Sequence, residues 1–161
     1  GLRKMKLNKT LTATVYIVYK NRVLLHMHKK HNSLFPLGGH MLETEVPHEC
    51  ALREVYEESG LQVKLYNPEE KMELGHVIQL VPPIHVLLEN VGRPVENLDF
   101  IYFAIADEDT VAPQYGESRE LYWLSKEEVI ANGDIKPHIK SMALKALDTI
   151  SKYNNKDLTT V

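Results

Sequence analysis

Residues 39–61 read GHMLETEVPHECALREVYEESGL. A glycine turn leads into a helix. Pro47 suits the first helical turn, where its missing N–H costs nothing, and Gly60 supplies the stop. At about 3.6 residues per turn, Glu54, Glu57 and Glu58 fall within an arc of roughly 100°. Three like charges on one face of a short helix repel one another, so the arrangement makes sense mainly around a cation. Ligands that offer only oxygen select a hard ion, Mg²⁺ or Mn²⁺, the ions that handle phosphates. The apolar residues Ala51, Leu52, Val55 and Tyr56 are expected on the other side, against the body of the protein.

The spacing is Gly39, five residues, Glu45, seven residues, then Arg53-Glu54-Val55-Tyr56-Glu57-Glu58-Ser59-Gly60-Leu61. This resembles the Nudix box, G-x5-E-x7-R-E-U-x-E-E-x-G-U with U aliphatic, and every specified position is filled. The resemblance implies an α/β/α sandwich with a mixed sheet between helices. It also implies a hydrolase that uses Mg²⁺ or Mn²⁺ to cleave a nucleoside diphosphate linked to another group, of nucleoside-triphosphate or nucleotide-sugar type. By the same resemblance Glu54, Glu57 and Glu58 hold the metal, with the backbone carbonyl of Gly38 as an added ligand. Either Glu54 or Glu57 positions the water, and a glutamate outside the box, Glu117 or Glu120, supplies a base or further ligand. Gly39, Glu45, Arg53 and Gly60 are structural, with Arg53 and Glu45 pairing to hold loop to helix. Two local departures stand out. Leu37 occupies the place before the glycine pair where proline is usual, and Val46 stands where a serine or threonine cap is common.

The segments around the box supply the elements of such a domain. Thr10 to Tyr19 and Arg22 to His28 read as a hairpin about a Lys20-Asn21 turn. Ser33 to Gly39 reads as a tight bend suited to close backbone approach. Strands are expected at Leu61–Leu65, Met72–Val81, Ile84–Glu89, Asn97–Ala106 and Glu120–Leu124. Ser125 caps a short helix at Lys126–Ala131, and an amphipathic helix follows from about Pro137 to Tyr153. The whole of 1–161 reads as a single domain, with about 1–9 and 154–161 as frayed tails.

Composition narrows the class. A net charge of −3 leaves no footprint for nucleic acid. The 43% apolar and 25% charged content is that of an ordinary globular chain. One cysteine, Cys50, excludes an internal disulfide. No apolar run approaches the ~20 residues of a membrane span, and Gly1-Leu2-Arg3-Lys4 lacks a signal-peptide core, so a cytoplasmic location is expected. The expected partner is a small-molecule nucleotide, without nucleic acid or membrane; a homodimer is compatible with the chain. The eight histidines lack a zinc pattern and read as surface or loop residues. His28, Lys29 and Lys30 could meet substrate phosphates at the end of their strand. Asp99, inside an apolar strand, reads either as a hydrogen-bonded carboxylate or as a contact to base or sugar. Tyr102, Trp123 and Cys50 read as core. Two competing functions are a nucleotide-sensing domain without catalysis, which should show a broken acidic helix, and a prenyl diphosphate isomerase, which wants a cysteine outside the box.

Overall fold

The computed structural model describes residues 8–90, 92 and 94–159. Strand β1 (Asn8–Tyr19) turns through Lys20 and Asn21 into β2 (Arg22–Met27). Both turn residues have positive φ, 45° and 63°, as a tight two-residue hairpin requires. Two short strands follow, β3 (Leu34–Phe35) and β4 (Leu37–His40), then helix α1 (Pro47–Ser59) and β5 (Val63–Tyr66). The second half holds β6 (His85–Asn90), β7 (Val95–Ala106), β8 (Leu121–Ser125), α2 (Lys126–Ala131), α3 (Pro137–Ser151) and β9 (Leu158–Thr159).

Among the described residues, nine strands join one mixed sheet. Its centre is the parallel pair β1–β7, in register from Asn8 with Val95 to Val18 with Ile105. On its other edge β1 pairs first with β4, through Thr12 to Val15, and then with β2, at Val18 and Tyr19. The sheet therefore forks where β2 leaves β1 and β4 takes its place. Alternation along β1 sends Ala13, Val15 and Ile17 to one face and Tyr16 and Val18 to the other. The first face packs against Cys50, Ala51 and Val55 of α1. The second packs against Val129 of α2 and Ile139, Ala143, Ala146 and Ile150 of α3. Burying each large aliphatic chain here stabilises the fold by about 2 kcal/mol. The result is the α/β/α sandwich expected from the sequence.

Four expectations need correction. Met72–Val81 forms no strand: Gly75, at φ +64°, sits in a turn closed by the Val77 N–H on the Leu74 carbonyl. Met72, Leu74, Val77, Ile78 and Leu80 consequently remain exposed. The bend at 33–39 is two strands, and Leu37 is wholly buried in the core beneath α1. The segment after Asn154 carries a 3-10 turn at Asn155–Asp157 and a strand, β9, paired with β5. Asn8 and Lys9, placed in the N-terminal tail, belong to β1.

Candidate active site

Helix α1 begins without a side-chain cap, since Val46 has no acceptor; instead the Glu49 carboxylate takes the Val46 N–H at 3.0 Å. It ends at Gly60, at φ +74°, whose N–H bonds to the Tyr56 carbonyl. A Cβ at Gly60 would lie 2.9 Å from the Ala112 carbonyl oxygen, so only glycine lets the loop after β7 approach. That loop docks on the helix end: the Ala112 N–H meets the Ser59 carbonyl at 2.7 Å and the Gln114 N–H meets the Glu57 carbonyl at 2.9 Å. Glu117 is thereby tethered close to α1.

Around the helix, Tyr56 faces solvent, half exposed, rather than the core. Glu58 takes the opposite correction: it is only 7% exposed. Ala51, Val55 and Glu58 follow at helical spacing, so the carboxylate face and the packing face overlap at Glu58. Its Oε1 accepts the Gly38 N–H at 2.8 Å. Burial, with Glu54, Glu117 and Glu57 nearby, pushes the Glu58 carboxyl up to about 8 against the pull of the Gly38 bond. Burial also raises Glu54, opposed by Arg53.

Arg53 is the hub of the outer carboxylates. Its Nε and Nη2 hold Glu45 at 2.6 and 3.0 Å. Nη1 holds Glu54 at 2.8 Å and Glu57 at 3.0 Å, and Nη2 also reaches the His40 carbonyl at 3.1 Å. The pairing of Arg53 with Glu45 is as the sequence suggested; the further bonds to Glu54 and Glu57 are not. With those oxygens on Arg53 and Glu58 turned to Gly38, no three His, Cys, Asp or Glu side chains stand as an ion-holding group among the described residues.

A cavity of about 800 Å³ opens beside this cluster, and Gly38, Gly39, Glu58 and Glu117 line it together with His28, Lys30 and Asp99. Glu54, Glu57, Glu45 and Arg53 lie outside that lining. A Cβ at Gly39 would sit 2.6 Å from the Glu54 carboxylate; the missing side chain is the space that Glu54 occupies. Asp99 accepts hydrogen bonds from Thr12 at 3.0 Å and from Thr14 at 2.8 Å. Burial raises its pKa, and the two hydroxyls oppose the rise. His28 is lowered by burial and then by His31, Lys30 and Lys136 nearby. Glu120 is exposed beside Tyr122, and it lines an adjoining groove with Glu117 rather than this cavity.

Sequence reasoning missed several residues of this cavity. Thr12, Thr14 and Tyr16 share one face of β1, and their period-two spacing was the available signal. His31 stacks on Phe35, with ring centroids 5.2 Å apart, and Lys136 and His138 enter from the start of α3. His26 and His48 are buried, not surface residues. Cys50 is buried as expected, and burial pushes its thiol up to about 11, away from a nucleophile's range. Tyr102 is core, its hydroxyl donating to the Val81 carbonyl at 2.9 Å.

The sequence profile of the NUDIX domain matches residues 8–144. Among solved structures, a hydrolase of the NUDIX family from Clostridium perfringens is 40% identical, with a TM-score of 0.77, over 88% of this chain and 98% of that one. A MutT protein from Methanosarcina mazei Go1 is 16% identical with a TM-score of 0.65, over 93% of this chain and all of the other. A UDP-X diphosphatase is 13% identical with a TM-score of 0.63, over 90% of this chain and 66% of that one. The last two share the fold. Curated protein sequences give no match.

Proposed function

The chain belongs to the NUDIX family and is a pyrophosphohydrolase, and from that premise we propose that it cleaves nucleoside triphosphates or nucleotide sugars at the pyrophosphate linkage with Mg²⁺ or Mn²⁺. The observation that carries this reading is the cavity. Glu58, Gly38, Gly39 and Glu117 form one wall, and Lys29, Lys30 and Lys136 line the same space. Carboxylates beside lysines suit a ligand that is itself anionic and brings a cation with it. The volume, about 800 Å³, lies within the usual range for small-molecule sites.

By donor chemistry the residues fit a divalent ion, which Glu54 and Glu57 would meet by turning from Arg53. The donor set is all oxygen, Gly39 lacks the Cβ that would displace Glu54, and Glu58 is a buried carboxylate whose charge a cation would stabilise. Glu54, Glu57, Glu58 and the Gly38 carbonyl would hold it. Such an ion neutralises phosphate charge and lowers the pKa of water. Glu54 or Glu57 orients the attacking water, and Glu117, tethered at the end of α1, takes its proton or adds a ligand. Arg53, Glu45, Gly39 and Gly60 keep the loop and helix together. His28 and Lys30 bind phosphate, and Asp99 meets the base or sugar. One domain spanning the chain carries this activity, in the cytoplasm. No helix among the described residues is long and apolar enough to cross a membrane.

The test is a screen over dNTPs, NTPs, ADP-ribose, dinucleoside polyphosphates and nucleotide sugars, with the nucleoside monophosphate and its co-product read by chromatography, run with Mg²⁺, Mn²⁺ or excess EDTA. Turnover of at least one compound, abolished by EDTA, is expected. Full turnover in chelator would overturn the metal assignment. Nucleotide binding without turnover of any compound would return the chain to the sensing class.

A further inference from the structure

His26 lies on β2, paired on one side with Phe35 of β3 and on the other with Leu121 of β8. Its backbone is therefore fixed, and its side chain is only 7% exposed. Its Nε2 stands 3.9 Å from Oε2 of Glu58, a side chain itself 9% exposed. The other oxygen of Glu58 is taken by the Gly38 N–H, and no donor lies within hydrogen-bond reach of Oε2 among the described residues. On the far side of the ring, His26 Nδ1 is buried without a partner.

These contacts decide the tautomer. A neutral imidazole has one N–H and one bare nitrogen. With the proton on Nδ1, a donor would be buried unmade, and the Nε2 lone pair would face a carboxylate. With the proton on Nε2, Nδ1 is left as a bare buried acceptor, and the N–H is on the side that meets the Glu58 carboxylate once a bound cation keeps that group ionised. The separation of 3.9 Å exceeds an ordinary N–H···O bond by about 1 Å, so the bond is made only when one of the two side chains shifts.

We propose that His26 is a positioning residue, whose Nε2–H secures the second oxygen of Glu58 and so fixes that carboxylate toward the divalent cation. The inference rests on the metal reading given above. Carboxylates that bind metal are commonly held by a hydrogen bond from behind, and losing such a partner weakens metal affinity by about 10–100-fold. Gly38 holds one oxygen of Glu58 from β4, and His26 holds the other from β2.

The experiment is Mn²⁺ titration without substrate, reading free aqua-ion by electron paramagnetic resonance, with a melting curve for each protein. The His26→Gln variant returns an amide N–H near the position of Nε2–H. Its affinity should stay within about 3-fold of wild type, a small part of the loss set by an outer-shell partner. His26→Leu removes the donor, and His26→Asn offers an amide only near the Nδ1 position. Both should weaken Mn²⁺ by about 10-fold or more, and His26→Asn keeps the test alive if the leucine variant fails to fold. Wild-type affinity in either would overturn the proposal, as would a loss in His26→Gln equal to theirs. A wild-type protein that binds no Mn²⁺ would overturn the metal reading itself, a different and separable failure.

Discussion

Arg53 Nε donates to Glu45 Oε2 at 2.6 Å, and this bond ties the loop after β4 to the middle of α1. The same guanidinium reaches Glu54, Glu57 and the His40 carbonyl, a fork that one ammonium cannot reproduce. Glu45→Gln should keep its shape and lose a charge-assisted bond at a partly exposed site. The expected loss is about 1 kcal/mol of stability, with turnover near wild type. Glu57→Gln should lower turnover by ~10³ with a smaller change in melting, as expected when charge stabilisation at the reacting centre is lost. Thermal melts and steady-state kinetics on both proteins check the division. Equal melting losses with equal residual rates would erase it.

Gly39→Ala places a methyl group against the Glu54 carboxylate, 2.6 Å away. The carboxylate can swing aside, so the melting temperature should change little. Turnover should fall by about 10-fold or more, because Glu54 no longer stands where the chemistry needs it. Shortening the clashing side chain in the Gly39→Ala, Glu54→Asp double variant should make the two losses less than additive. Strict additivity in kcat/KM would show that Gly39 acts on something other than Glu54.

Glu58 gives the metal-free protein a pH dependence of definite sign. Its folded pKa is raised from 4.5 to about 8, so between those values the folded state holds a proton that the unfolded state has released. Stability from this group is full below pH 4.5 and drains as pH rises through 8. His26 acts oppositely, lowered from 6.5 to about 4, but it is neutral in both states above pH 6.5. From pH 6.5 to 8, Glu58 therefore acts without opposition from His26. In EDTA, urea midpoints should fall over that interval, and Glu58→Gln should flatten the fall. An equal slope in both proteins would remove Glu58 as its source.

Glu117 and Glu120 are three positions apart but differently placed. Only Glu117 lines the large cavity, and its loop is bonded to the end of α1. Glu117→Gln should lower kcat more than it raises KM, whereas Glu120→Gln should do little. The reverse ranking would move the role to Glu120, and wild-type rates in both would confine the chemistry to the helix.

The fold was legible where local chemistry and tertiary need agree. The bounds of α1 follow from Pro47 and Gly60, and β1, β7 and α3 from uninterrupted apolar periods. Met72–Val81 misled because its apolar content is strand-like, while Gly75 and the following Pro82-Pro83 turn it into a loop that no neighbour pairs. β9 could not be read, because a two-residue strand exists only by virtue of β5. At the site, spacing placed Glu54, Glu57 and Glu58 on one helix, and the resemblance paired Arg53 with Glu45. It could not reveal that Glu58 is buried, since an acidic residue reads as exposed until its N–H donor and its neighbours are placed. Thr12 and Thr14 show the same limit: each is ordinary alone and meets Asp99 only across β1 and β7.

That last contact has a consequence in time. Thr12 and Asp99 are 87 positions apart, and the whole acidic helix lies in the loop their pairing closes. Closing so long a loop comes before any return from the contacts it enables, and parallel pairing at such separation slows folding. During synthesis α1 emerges first, ending at Ser59, and the strand that backs the cavity begins only at Val95. At typical elongation speeds the interval is a few seconds. For that interval the chain carries Glu54, Glu57 and Glu58 with no floor beneath them; β7 brings the floor, and Glu117 and the start of α3 close the cavity only after it.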